Sequence, residues 1–126
     1  MEDPIYRDII LDHFKNPSNY GLLEDPDFKT TDYNPLCGDE ISITGKVKNG
    51  KLASVKFESR GCAISKASAS IMTEKFLKKN INKINLMKPE EYLQILEIEL
   101  SPSRIKCALL GFSSLKKALN DFTSSS

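Results

Sequence analysis

The chain predicts an α+β fold: a small antiparallel sheet of about three strands with helices packed on one face. Three observations carry this expectation. Apolar residues recur at helical spacing near the start, at Ile5, Tyr6, Ile9, Ile10 and Phe14. Between Glu40 and Ser59 the pattern switches to period two, broken by Asn49-Gly50. Helical spacing then returns, interrupted at Met87-Lys88-Pro89. Helix, strands, helices in that order is the sequence of a layered α+β domain.

The elements follow from local chemistry. Asp3 is placed to cap the first helix, with Pro4 at its first position. Asn16-Pro17 ends it, because a residue before proline avoids the helical region. Residues 17–36 are rich in Pro, Asn, Asp and Gly and read as an irregular surface segment, within which 28–34 is the candidate third strand. Ile41, Ile43 and Val47 share one parity of the next strand, and Ala53, Val55 and Phe57 share one parity of its hairpin partner. A helix follows Gly61-Cys62, with Ile64, Ala67, Ile71, Met72 and Phe76 on its buried side. Ser65, Ser68 and Ser70 interleave with alanines there, a small-residue surface suited to close backbone approach. Met87-Lys88-Pro89 interrupts the pattern, and a short helix is expected over 89–98. The last helix begins near Ser101-Pro102-Ser103 and carries an apolar stripe from Ile105 through Phe112 to Phe122, with a frayed Ser124–Ser126 tail.

Bulk composition excludes several function classes. A length of 126 residues with 40% hydrophobic content suits one domain with one core, residues 1–126. The 18 basic and 17 acidic residues are dispersed and leave a net charge of +1, which disfavours a nucleic-acid partner. No apolar run approaches a membrane span, and Met1-Glu2-Asp3-Pro4 does not resemble a secretory leader, so a cytoplasmic location is expected. Cysteines in that compartment are usually reduced, and three of them cannot all pair within one chain.

Those cysteines, Cys37, Cys62 and Cys107, are the most informative residues. Cys37 is followed by Gly38 and Asp39, so a thiolate and a carboxylate can turn toward a common point. Asp39 alone would also serve as a turn former. Cys62 opens a helix, where unpaired amides favour a thiolate, with Arg60 and Lys66 close in sequence; the alternative is a cysteine filling a helix–sheet corner. Cys107 lies off the strongest apolar stripe, on a face continued by Gly111, Ser114 and Ala118. Three thiolates and one carboxylate form a four-ligand set for a soft or borderline metal. The spacings are too wide for a zinc ribbon, so the fold itself must unite them. A stable zinc-binding interaction module without sulfur chemistry is the rival from another class. A cysteine nucleophile at Cys107 lacks a base: His13, the only histidine, sits near a helix end and reads as a surface residue.

Four segments together resemble the iron–sulfur cluster assembly family of NifU N-terminal, IscU and SufU proteins. They are Tyr6 to Pro17 (YRDIILDHFKNP), Asn34 to Asp39 (NPLCGD), Gly61 to Ser70 (GCAISKASAS) and Arg104 to Ala108 (RIKCA), in family order. The resemblance implies an α+β fold of NifU/IscU type and an exposed site of Cys37, Asp39, Cys62 and Cys107. That site would hold zinc or a nascent 2Fe–2S cluster. It implies a pyridoxal-phosphate-dependent cysteine desulfurase as sulfur donor and apo iron–sulfur proteins as recipients. Cys37 is the candidate persulfide acceptor, with Cys107 the alternative. Lys106 stands where IscU-type members carry histidine, so the last motif is closest to SufU. The interval between Cys62 and Cys107 resembles the shorter IscU arrangement, and Leu100-Ser101-Pro102-Ser103-Arg104 departs from the IscU chaperone motif.

Overall fold

In the computed structural model, residues 4–35, 38–97 and 100–125 are described. Helix α1 spans Pro4–Lys15, strands β1, β2 and β3 span Phe28–Asn34, Asp39–Lys48 and Lys51–Arg60, and helices α2 to α5 span Ala63–Phe76, Ile81–Leu86, Pro89–Leu96 and Pro102–Ser125. The strands form one antiparallel sheet in the order β1-β2-β3. The α+β expectation holds, and the candidate strand at 28–34 is present. Asp3, the expected cap of α1, lies outside the described residues. The last helix runs through Ser125; Ser126, the end of the expected tail, lies outside the described residues.

The hairpin turn is where Asn49-Gly50 places it, with φ of +55° and +73°. Both signs suit the right-handed twist of the flanking strands. One parity expectation fails. Lys46 faces Ser54 but Val47 faces Leu52, so β3 carries an extra residue, Ala53. This bulge turns Leu52 inward beside Val55 and Phe57, all three buried, and leaves Ala53 half-buried. Alternation counted from sequence alone cannot register an inserted residue.

The segment 17–27 is ordered by the sheet. Phe57 donates its N–H to the Asn19 carbonyl at 3.0 Å and accepts from the Gly21 N–H at 2.8 Å, which covers the outer edge of β3. The segment then reaches β2, where Leu23 N–H donates to Thr44 Oγ1 at 2.9 Å and the Asp27 carboxylate accepts from Val47 N–H at 2.8 Å. Thr44 is buried by this crossing.

The core lies between the other sheet face and the helices. Ile41, Ile43, Val55 and Phe57 share one buried cluster with Ile64, Ala67, Ile71, Met72 and Phe76 of α2 and with Phe112, Leu115 and Leu119 of α5. Helix α2 is buried nearly all round, including Ser65, Ser68, Ser70 and Thr73. The small-residue surface thus admits neighbours on several sides. The helical pattern breaks after Phe76 because backbone 78–81 bonds to the start of β3: Lys78 N–H donates to the Leu52 carbonyl at 2.7 Å and Ile81 N–H to that of Gly50 at 2.9 Å. The short helix after Pro89 ends at Leu96, with Glu97 left-handed at φ +55°; Ile98 lies outside the described residues.

Tyr92 of α4 is fully buried and stacks on Phe112 with centroids 4.3 Å apart. Desolvation by burial pushes its hydroxyl above the ordinary phenol range. The neutral phenol is favoured in the folded state, so its contribution is complete below the unfolded value near 10 and declines as pH rises beyond it. Urea denaturation at pH 9 and pH 11 is expected to show a smaller alkaline loss of stability in Tyr92→Phe than in the parent. Equal losses would contradict this.

Among the described residues, no helix is long and apolar enough to cross a membrane.

Candidate metal centre

The site forms where the start of β2, the end of β3, the start of α2 and the first turns of α5 meet. Glu40 pairs with Arg60 across the sheet, which sets Asp39 beside the exit of β3. Gly61 then turns the chain with φ +129°. Cys62 follows in extended conformation as the N-cap of α2, its sulfur accepting from the Ser65 N–H at 3.4 Å. A thiol here fills the position usually held by Ser, Thr, Asp or Asn.

Asp39 is the centre of the arrangement and is 0% exposed. Its Oδ1 accepts the Cys62 N–H at 2.7 Å, and its Oδ2 accepts the Ser65 hydroxyl at 2.5 Å. Cys62 Sγ lies 3.5 Å from the same Oδ2. The room for this carboxylate is made by Gly61, since a Cβ there would stand 2.0 Å from Asp39 Oδ1 and 2.8 Å from its Cα. The space beside Cys62 that the glycine leaves is filled by Asp39.

Ligand atoms of Asp39, Cys62 and Cys107 all lie within 4.8 Å of one another. Tetrahedral zinc bonds of about 2.3 Å to sulfur and 2.0–2.2 Å to carboxylate oxygen separate ligand atoms by roughly 3.6–3.8 Å. The Cys62–Asp39 contact of 3.5 Å already matches that edge. The donor set of two thiols and a carboxylate fits a borderline metal, and neither Cys62 nor Cys107 is in a disulfide. Cys37, the fourth expected ligand, lies outside the described residues.

Three sequence expectations change here. Cys107 was expected on an accessible face, yet it is only 5% exposed, and Gly111, Ser114 and Ala118 on its face are buried with it. A Cβ on Gly111 would lie 3.3 Å from Ile41 and 3.4 Å from Ala69, so this face packs against the sheet and α2 through small side chains. His13 is half-buried, not a surface residue: its Nδ1 is 2.7 Å from Ser70 Oγ, tying α1 to α2. Lys66, expected to add positive potential near Cys62, places its ammonium 5.3 Å from the Phe14 ring centre and 4.7 Å from that of Tyr20. Ser65 was read only as part of a small-residue surface. The spacing Cys62-x-x-Ser65, an N-cap and its N3 residue, is the sequence feature that would have singled it out.

An open groove of about 360 Å³ is lined by Tyr33, Asn34, Pro35, Lys106, Leu109 and Leu110, among others.

The family profile described as NifU-like N terminal domain matches residues 5–126. The chain is 39% identical to the zinc-dependent sulfurtransferase SufU of Bacillus subtilis, over 93% of this chain and 90% of that protein. It is 34% identical to the iron–sulfur cluster assembly scaffold protein IscU 1 of Archaeoglobus fulgidus, over 94% and 76%. A crystal structure from Fervidobacterium islandicum, named as a candidate scaffold of the SUF system, superposes with a TM-score of 0.74 at 28% identity, covering 88% of this chain and 93% of that one. An α+β frame, a cysteine–aspartate cluster at the mouth of α2 and these similarities agree: the chain belongs to the NifU-like N-terminal domain family.

Proposed function

We propose that this protein serves iron–sulfur cluster assembly, with residues 1–126 acting as one NifU N-terminal-like domain. It binds a metal through Cys37, Asp39, Cys62 and Cys107 and receives sulfur from a cysteine desulfurase in the cytoplasm, for delivery to recipient apo iron–sulfur proteins. The observation that supports this most directly is the convergence of Asp39, Cys62 and Cys107, from three separate segments, within 4.8 Å. Zinc bound there would neutralise much of the thiolate charge and orient the ligands; a 2Fe–2S cluster would be cargo held by the same donors.

Sulfur acceptance needs a nucleophilic thiolate. It attacks the outer sulfur of the desulfurase persulfide, a new S–S bond forms on this chain, the old S–S bond breaks, and the desulfurase thiolate leaves. Cys37 is the acceptor in this reading. The burial of Cys107, at 5% exposure, disfavours the alternative because a bulky partner persulfide must reach the attacking sulfur.

Metal analysis of freshly purified protein is expected to give about one zinc or one cluster per chain. Anaerobic incubation with iron, cysteine and a desulfurase then separates two mechanisms. A visible charge-transfer spectrum that passes to apo-ferredoxin marks a scaffold, and a persulfide with zinc retained marks a sulfur relay. Unchanged desulfurase turnover with inert thiols would overturn both and leave a zinc-binding interaction module.

A further inference from the structure

Ser65 touches every described residue of the centre. It is 2% exposed, at the third position of α2. Its N–H donates to Cys62 Sγ at 3.4 Å. Its hydroxyl oxygen lies 2.5 Å from Asp39 Oδ2 and 3.1 Å from the Cys107 carbonyl oxygen. A serine hydroxyl has one proton, and both of these neighbours are acceptors. Only one of them can receive it at a time.

We propose that Ser65 is a positioning residue that sets how tightly Asp39 is held as a ligand, by moving its single hydroxyl proton between Asp39 Oδ2 and the Cys107 carbonyl. This rests on the metal reading given above and concerns the protein's own residues. With the hydroxyl donating to Asp39 Oδ2, the buried carboxylate is satisfied away from a metal. With the hydroxyl donating to the Cys107 carbonyl, Oδ2 is released to bond a metal, and the hydroxyl is still satisfied. The exchange requires a rotation about one C–O bond and no displacement of the chain. Asp39 can therefore join or leave the ligand set without stranding the buried Ser65 hydroxyl, which is 2% exposed, a costly outcome for a group out of water.

The two hydrogen bonds are unequal. The one to the carboxylate is short and charge-assisted, whereas the one to the carbonyl is neutral and longer. Loss of the hydroxyl thus harms the metal-free state more than the metal-bound state. The sign is the opposite of that expected for a residue that merely shores up the site.

The test uses cobalt(II) as probe on the full chain, with Ser65→Ala and Ser65→Thr. Ser65→Ala is expected to release cobalt(II) to EDTA about tenfold more slowly than the parent, while its metal-free form melts at a lower temperature. Ser65→Thr keeps the hydroxyl and is expected to restore both values. Release from Ser65→Ala that is as fast as, or faster than, that of the parent overturns the proposal, as does a Ser65→Thr variant that behaves like Ser65→Ala. A parent chain that shows no thiolate-to-cobalt absorption overturns the metal reading itself and this proposal with it. The two failures are thereby told apart.

Discussion

Gly61→Ala is expected to damage the metal centre and the fold together. The added methyl would sit 2.0 Å from Asp39 Oδ1, 2.9 Å from its Cγ and 2.8 Å from its Cα. A side-chain rotation can move the oxygen but not the Cα, so the strand itself must shift. The backbone at Gly61 also has φ +129°, a region that L side chains rarely adopt. Strain and displacement together are expected to lower stability by about 2–4 kcal/mol. Displacement of Asp39 removes a proposed ligand and the acceptor of the Cys62 N–H, so cobalt(II) affinity is expected to fall by roughly 100-fold. Gly50→Ala is the control. It shares a positive φ, +73°, yet its Cβ would meet nothing within 4 Å. Its expected cost is about 1 kcal/mol with metal affinity unchanged. Urea denaturation and cobalt titration of both variants settle the matter, and a Gly61→Ala protein with parental cobalt affinity would falsify the placement of Asp39.

Cys107→Ala is expected to separate metal binding from folding. Cys107 is buried among the small residues of its helix face, so alanine leaves a gap of one sulfur atom. The metal-free variant is expected to lose only about 1 kcal/mol. Metal binding is different. Apparent binding free energies of about 10–16 kcal/mol, shared among the four ligands proposed above, imply roughly 3 kcal/mol for each, or about 100-fold in affinity. Zinc competition with a chromogenic chelator measures the second effect and chemical denaturation of the stripped protein the first. A large loss of stability with unaltered zinc affinity would show that Cys107 is core filler.

The chemistry of this site is more legible in the chain than its packing. Cys37, Asp39, Cys62 and Cys107 stand out because three thiols and a carboxylate beside turn residues form a donor set suited to a borderline metal. The Asn49-Gly50 turn and the proline-bounded helices are equally local, since the backbone conformations that those residues favour do not depend on distant partners. The bulge at Ala53, the burial of Cys107 and the His13–Ser70 contact are decided by surfaces from different elements meeting. Ser65 illustrates the difference. In the chain it is one serine among several in a small-residue helix, and only the approach of β2 and α5 gives its hydroxyl two acceptors.

The sequence by itself determined the α+β order of elements, the C-terminal end of the first helix and the hairpin, and the residue types able to bind a borderline metal, because each follows from local conformational preference or side-chain chemistry. Only the tertiary structure decided that Asp39, Cys62 and Cys107 share one buried point, that Gly61 is the residue that admits the carboxylate, and that Ser65 bridges it to α5. Those outcomes depend on distances across the sheet–helix junction, which close packing sets and sequence spacing does not encode.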